Sequence, residues 1–186
     1  PTRGLGQIPA QRRWSTMEMT KRGFAIAAHP DDIEFMMSGA LMHLGACGYE
    51  IHYMNVANGS CGTMHENAHT IAAIRLEEAR SAAECIGAVF HPPLCNDIEI
   101  LYEKGLLARV AGIVREIAPE IMLIPSPQDY MEDHMNTCRL AVTAAFCRGM
   151  RNFPVDPPLP AINTEITLYH AQPFGMRDFV GKAVVP

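Results

Sequence analysis

Short apolar runs alternate with longer stretches of helical periodicity along most of this chain. Strand-like runs fall at about 23–28, 50–56, 88–90, 120–125 and 165–170, and helical patterns fall at about 33–47, 66–86, 103–117 and 134–149. Such alternation is typical of βαβ units. It therefore predicts one Rossmann-like α/β domain with α/β/α layers and a mostly parallel sheet, over residues 21–186. Residues 1–20 show no strong periodicity and are expected to form an N-terminal arm.

A polar cluster follows the first strand-like run directly, with the sequence His29-Pro30-Asp31-Asp32-Ile33-Glu34. In an open α/β sheet the loop after a strand lies at the edge where ligands bind. One imidazole and two carboxylates there offer metal ligands, with one carboxylate left over as a base. An acidic helix N-terminus, capped by Asp32 with Glu34 in its first turn, is the alternative. Capping explains the acids but not His29.

A second polar cluster, at residues 129–137, follows the fourth strand-like run and contains Asp133-His134. In the predicted topology both clusters open at the same edge of the sheet. His29, Asp32 and His134 would then supply three protein ligands and leave one coordination position open, as in catalytic zinc sites. Adjacent side chains in an extended turn diverge, so Asp31 is the natural general base. Taken alone, His134 could equally be a solvent-facing histidine at the start of a helix.

Together the two clusters resemble the motifs of the PIG-L/LmbE-like zinc-dependent de-N-acetylases, and the resemblance extends over about residues 22–175. The turn at 58–62 and the helical run at 75–80 are also similar to that family. The resemblance implies a deacetylase that acts on N-acetylglucosamine-type substrates, with Asp31 as general base. It implies Zn²⁺, or another divalent metal, held by His29, Asp32 and His134.

Further positions of this chain match the residues that line the substrate pocket in the family. Arg75 and Asp97 match sugar-contacting positions, and Asn58 fits a tight turn near the metal. Each also has a purely structural interpretation. Arg75 could pair with Glu77 or Glu78 on its own helix, Asp97 could cap a loop, and Asn58-Gly59 is a common turn signal.

The chain departs from the family pattern just before His134. Many relatives carry an additional histidine there, whereas this chain has Tyr130-Met131-Glu132. Tyr130 and Asp129 are expected to contact the substrate. One of them, or a residue in a missing C-terminal segment, is expected to supply the missing assistance to the reaction; otherwise the reaction is weaker. Asp133 is expected beside the metal ligands or at the helix N-terminus, where a negative charge is favoured.

Two other functions stay open at the level of the sequence. His65-Glu66-Asn67-Ala68-His69 satisfies the His-Glu-x-x-His pattern of zincin metallopeptidases, in which both histidines share one helix face. A non-catalytic α/β domain that binds a metal only structurally is the other alternative.

Composition narrows the range of partners. The chain has 186 residues and a formal net charge of -5, which argues against nucleic acid or an anionic membrane as partner. The family resemblance implies a small amino-sugar-type molecule as substrate. Six cysteines without a Cys-x-x-Cys pair suit reduced, mostly buried thiols and a cytoplasmic location. Members of the family resembled are often trimers or hexamers and usually longer, so a homo-oligomer and a missing C-terminal segment are expected.

Overall fold

The computed structural model describes residues 20–173, and within this range five strands form one sheet. The strands are β1 (Arg22–Ala27), β2 (Glu50–Asn55), β3 (Val89–His91), β4 (Ile121–Ile124) and β5 (Thr167–His170). They lie in the order β3-β2-β1-β4-β5, and every neighbouring pair is parallel. The predicted N-terminal arm lies outside the described residues, apart from Thr20.

In the described range, five helices cover both faces of the sheet. They are α1 (Asp32–Met36), α2 (Ser38–Ala46), α3 (Ala68–Cys85), α4 (Lys104–Ile117) and α5 (Glu132–Cys147). One buried apolar cluster joins the sheet to α1, α2 and α3, and a second joins it to α4 and α5. The predicted three-layer α/β/α architecture is therefore confirmed.

The central strand β1 contributes to both apolar clusters because successive side chains of a strand point to opposite faces. Phe24 and Ile26 lie in the cluster with α4 and α5, whereas Ala25 and Ala27 lie in the cluster with α1, α2 and α3. All four are fully buried. Burial of each large apolar side chain stabilises the fold by about 1.5–3 kcal/mol. The buried strand β1 therefore fixes the position at which the following loop begins.

The direction of the chain across the sheet reverses between β1 and β4. From β1 it proceeds outward through β2 to β3, and from β4 it proceeds in the opposite direction to β5. Loops that leave neighbouring strands at such a switch point separate and leave a crevice, where open α/β sheets bind ligands. The loops after β1 and β4 carry the two polar clusters and meet at this crevice.

Three of the predicted helices need correction. The helix expected at 33–47 is broken at Met37, where Ser38 Oγ donates to the Glu34 carbonyl at 2.8 Å and Gly39 follows; Ser/Gly pairs are common sites of kinks. The helix expected at 66–86 begins at Ala68, because the Asn67 side chain caps it by accepting from the Thr70 N–H. The helix expected at 134–149 begins two residues earlier and ends two residues earlier.

The cysteines are only partly as expected. All six are free, but Cys47, Cys61 and Cys85 are exposed, whereas Cys138 and Cys147 are buried. Within residues 20–173 no helix combines the length and apolar character that crossing a bilayer requires.

Arg115, in the last turn of α4, connects this helix to the end of α5 and to the segment that follows α5. Its guanidinium is 5% exposed and donates to four backbone carbonyls, those of Cys147, Met150, Phe153 and Leu159, at 2.8–3.3 Å. Cys147 is the last residue of α5, so the positive charge also lies at the negative end of that helix dipole. The segment after α5 is thereby fixed against α4.

Replacing Arg115 by Met should lower the free energy of unfolding by about 2–4 kcal/mol, because the buried carbonyls lose a charged donor. Urea unfolding followed by circular dichroism measures the change. The matched control is Arg151→Met, at an exposed turn residue whose side chain makes no hydrogen bond or ion pair within residues 20–173. Equal stability of the two variants would contradict the anchoring role of Arg115.

Candidate metal centre and pocket

His29, Asp32 and His134 converge at the crevice as the sequence predicts. Their candidate ligand atoms all lie within 4.8 Å of one another. His134 Nε2 is 3.3 Å from Asp32 Oδ1, and His29 Nδ1 is 3.7 Å from Asp32 Oδ2. Asp32 and His134 are buried, and His29 is half-buried. Two nitrogens and a carboxylate from residues remote in sequence therefore surround one small volume.

The backbone at the start of α1 fixes the direction of the Asp32 carboxylate. Oδ2 accepts hydrogen bonds from the N–H groups of Ala28, at 3.1 Å, and His29, at 2.8 Å. Asp31 precedes it with a φ of 107°, in the left-handed region. This turn sends the two neighbouring carboxylates in different directions, so Asp32 faces His134 while Asp31 faces α3. Asp32 thus organises the loop rather than capping α1.

Each candidate histidine ligand has its other ring nitrogen bound by a carboxylate. His29 Nε2 is 2.9 Å from Asp133 Oδ2, and His134 Nδ1 is 3.0 Å from Asp129 Oδ2. Metal-ligating histidines commonly have such partners, which fix the ring orientation and increase the basicity of the ligand nitrogen. The two nitrogens left over, His29 Nδ1 and His134 Nε2, are those that face Asp32.

The electrostatics of this volume favour a positive charge. His134 Nε2 is buried and has no hydrogen-bond partner among the described residues, since its approach to Asp32 lacks hydrogen-bonding geometry. Burial would lower the pKa of His134, but Asp32 and Asp129 outweigh it and raise this pKa to about 9. Burial would raise the pKa of Asp32, yet the neighbouring His134 and His29 lower it. An N₂O donor set of this kind fits a divalent metal such as Zn²⁺.

Asp31 and Arg75 form a charged pair beside the candidate ligands. The Arg75 guanidinium, on α3, donates to Asp31 Oδ2 at 2.5 Å and to the Pro30 carbonyl, and its other nitrogen donates to Glu78 at 2.6 Å. Burial raises the pKa of Asp31 despite the opposing effect of Arg75. The loop at 58–62 packs so closely here that a Cβ on Gly59 would lie 2.8 Å from Arg75 Cγ. Only glycine fits this position.

Asp97 and Asn58 hold that loop in place. The Asp97 carboxylate accepts from the N–H groups of Gly59, at 2.7 Å, and Cys61, at 2.8 Å. The Asn58 amide donates to Asn96 and accepts from the Ser60 N–H. These contacts match the structural interpretation of both residues. Asp97 also lines the pocket, so its contact with a substrate stays a prediction; Asn58 lines a neighbouring groove instead.

A pocket of about 380 Å³ opens over the three candidate ligands. Asp31 and Arg75 line it from the α3 side, and Tyr130 and Met131 line it next to α5. Tyr130 is exposed, and its ring meets the His134 ring edge-on with centroids 5.9 Å apart. The Met131 thioether therefore lies on the pocket wall beside Tyr130.

Sequence reasoning missed two contributions to this site. Asp129 was expected to touch substrate, but its side chain is 1% exposed and its oxygens bind His134 and the Met131 N–H. Ile98, for which no role was expected, lines the pocket and donates its N–H to Asp133 Oδ2 at 2.8 Å. No sequence spacing signals either contact, because both depend on loops that meet only in the folded chain.

The zincin alternative is not supported. That site needs both histidines one turn apart on a helix, with the glutamate between them. Here α3 begins at Ala68, so His65 and Glu66 lie before the helix. The three residues that the pattern requires, His65, Glu66 and His69, are all exposed.

Comparison with known proteins gives relatives of two activities. The chain is 30% identical over 139 residues to diacetylchitobiose deacetylase of Thermococcus kodakarensis, covering 72% of this chain and 52% of the relative. It is 29% identical over 143 residues to 4-oxalmesaconate hydratase of Pseudomonas putida, covering 73% and 55%. The chain thus spans about half the length of the curated relatives it matches.

Among solved structures, N,N'-diacetylchitobiose deacetylase from Pyrococcus horikoshii, complexed with its inhibitor MPG, superposes with a TM-score of 0.75. The identity is 27%, and the match covers 83% of this chain and 61% of that one. The PIG-L family model, described as GlcNAc-PI de-N-acetylase, matches residues 24–146, well over half of the chain and all of both polar clusters. The chain therefore belongs to the PIG-L (GlcNAc-PI de-N-acetylase) family.

Proposed function

We propose that this protein is a metal-dependent hydrolase that removes an N-acyl group, most simply acetyl, from a small amino-sugar-containing molecule. The observation that carries the proposal is the convergence of His29, Asp32 and His134 in a pocket that also presents Asp31. Membership of a de-N-acetylase family and the similarity to a diacetylchitobiose deacetylase support this reaction and this class of substrate.

In the proposed site His29 Nδ1, the Asp32 carboxylate and His134 Nε2 hold the metal. A divalent ion such as Zn²⁺ bound there would polarise the amide carbonyl and make water more acidic. Zinc is the proposed ion, although a donor set of this type also accepts other divalent metals. Asp129 and Asp133 keep the two imidazoles in the required tautomer and orientation.

Asp31 is the proposed general base. It lines the same pocket as the three candidate ligands, and its Oδ2 accepts a hydrogen bond from Arg75. Arg75 binds Oδ2, while Oδ1 makes no hydrogen bond within residues 20–173 and can accept a proton from the attacking water. The same carboxyl group can then return the proton to the leaving amine. Arg75 thus positions Asp31, and we propose that Arg75 and Asp97 also contact sugar hydroxyls.

Tyr130 is the proposed substitute for the family's additional histidine. The Asp129 side chain is 1% exposed, does not line the pocket and is bound to His134 and to the Met131 N–H, so it is not available to the substrate. The Met131 thioether is at most a weak hydrogen-bond acceptor. Tyr130 lines the same pocket beside His134 and carries a hydroxyl that can donate to a developing negative charge.

Addition of water to a carbon–carbon double bond is a second candidate, favoured by the similarity to 4-oxalmesaconate hydratase. Both reactions activate water beside a base, and they differ in the products. Amide hydrolysis releases a free amine and a carboxylate, whereas hydration releases neither. A screen of N-acetylated sugars for amine release therefore separates the two. We also propose a cytoplasmic location, on the basis of the cysteines, and a trimeric or hexameric assembly, on the basis of the family.

His134→Ala should abolish both stoichiometric zinc binding and turnover, because it removes one of the three candidate ligands. Elemental analysis of the purified protein and amine release from N-acetylglucosamine or diacetylchitobiose measure the two effects. His65→Ala, which removes an exposed histidine outside the pocket, is the control and should retain both. Loss of zinc only in His65→Ala would contradict the assignment. Loss of folding rather than turnover on chelation would favour a structural metal.

Asp31→Asn should lower kcat by about 10²–10⁴-fold, since an amide cannot take up the proton of water. Zinc content should stay at the wild-type level, because Asp31 lies outside the ligand set. Glu78→Gln is the matched control, as Glu78 is the other carboxylate paired with Arg75. A variant Asp31→Asn with undiminished turnover would exclude Asp31 as the base.

Asp129→Asn should weaken zinc affinity by about 10–100-fold by loosening the orientation of His134. Competition with a fluorescent zinc chelator measures the affinity directly. Glu132→Gln, an exposed acid in the first turn of α5, removes the same charge without a contact to a candidate ligand. If both variants bound zinc equally, Asp129 would not be a positioning residue.

A further inference from the structure

Ile98 has a backbone conformation that its side chain disfavours. Its φ is 63°, and in the described part of the chain only Asp31 and Ala118 share a positive φ among the non-glycine residues. A β-branched residue in the left-handed region is a conformational outlier, and such outliers cluster at ligand-binding and catalytic sites. Ile98 is also 70% exposed, so burial does not compensate for the strain.

The contacts that fix this conformation do not need an isoleucine. The Ile98 N–H donates to Asp133 Oδ2, which also contacts His29 Nε2, and the preceding Asp97 is held by the loop at 58–62. Glycine or asparagine would offer the same N–H with less strain. The feature that requires explanation is therefore the apolar side chain on the wall of the pocket.

The pocket has two chemically different sides. Asp31 and Arg75 form a charged side next to α3, whereas Ile98, Tyr130 and Met131 lie on the side tied to the start of α5, through Asp133 and His134. An N-acylated sugar has the same division, with hydroxyl groups at one end of the amide and a hydrocarbon group at the other. The charged side suits the hydroxyls, and the apolar side suits the acyl group.

We propose that Ile98 determines acyl selectivity, forming with Tyr130 and Met131 an apolar wall that binds the acyl part of the substrate. Ile98 and Tyr130 are 70% and 63% exposed, so the wall opens to solvent and accommodates straight acyl chains longer than acetyl. This inference rests on the proposed hydrolase. In that reaction the amide C–N bond breaks, water supplies the new C–O bond, and the products are a carboxylate and an amine.

The first test is independent of turnover and uses the acyl product as probe. Acetate, butanoate and hexanoate are titrated into the zinc-loaded full chain by calorimetry. We expect affinity to rise about tenfold from acetate to hexanoate, less than full burial of the added methylenes would give because the wall is open. A series with no dependence on chain length would overturn the proposal.

Three variants assign the effect to the Ile98 side chain. Ile98→Gly should remove the chain-length dependence of carboxylate affinity without lowering Tm, since it relieves the left-handed strain. Ile98→Leu should retain the dependence. Ala118→Gly, at the left-handed C-cap of α4, makes the same kind of backbone change away from the pocket and should keep the wild-type series. A lower Tm for Ile98→Gly, or a dependence that survives in it, would overturn the role of Ile98.

Turnover then separates this inference from the proposed function. The ratio of kcat/KM for N-butanoyl- over N-acetylglucosamine should fall in Ile98→Gly and stay at the wild-type value in Ala118→Gly. If wild-type enzyme released no amine from either amide, the proposed hydrolase would be contradicted, whereas the carboxylate series would still test the wall. An unchanged ratio in Ile98→Gly would reject Ile98 as the selectivity residue.

Discussion

The site depends on the contacts that the buried Asp32 carboxylate makes on both sides of the crevice. One oxygen binds two backbone N–H groups at the end of the central strand, and the other faces His134 on α5. This carboxylate thereby joins the β1 loop to α5 across the switch point of the sheet. It is buried, so its charge needs partners of opposite sign. The two imidazoles that surround it are the groups that a divalent metal would share with it.

The sequence was sufficient for the architecture and for the three converging residues. The alternation of apolar runs and helical patterns fixes strand order only loosely, but parallel strands place all their following loops at one edge. The convergence of His29, Asp32 and His134 could therefore be predicted from the sequence. Different roles for Asp31 and Asp32 could also be predicted, because adjacent side chains diverge. In the structure, the left-handed φ of 107° at Asp31 contributes to this divergence.

The roles of the surrounding residues could not be predicted, because they depend on contacts between loops. Asp129 is five residues from His134, and the sequence does not show that its side chain folds back to the ring. Asp97 lines the pocket, but the sequence does not show that both of its oxygens also bind backbone N–H groups of another loop. The His65-Glu66 pattern failed for a local reason, since the Asn67 cap starts α3 one turn too late.

Charged side chains hold helix α5 at both ends, an acidic one at its first turn and a basic one at its last residue. Its first turn carries Asp133 and His134 at the crevice, and the carbonyl of its last residue is bound by Arg115. A rigid rod of 16 residues is about 24 Å long. A small tilt at the Arg115 end is therefore transmitted to the imidazole of His134. Substitutions of Arg115 would therefore disturb the candidate metal centre from a distance, while every side chain of that centre remained chemically unchanged.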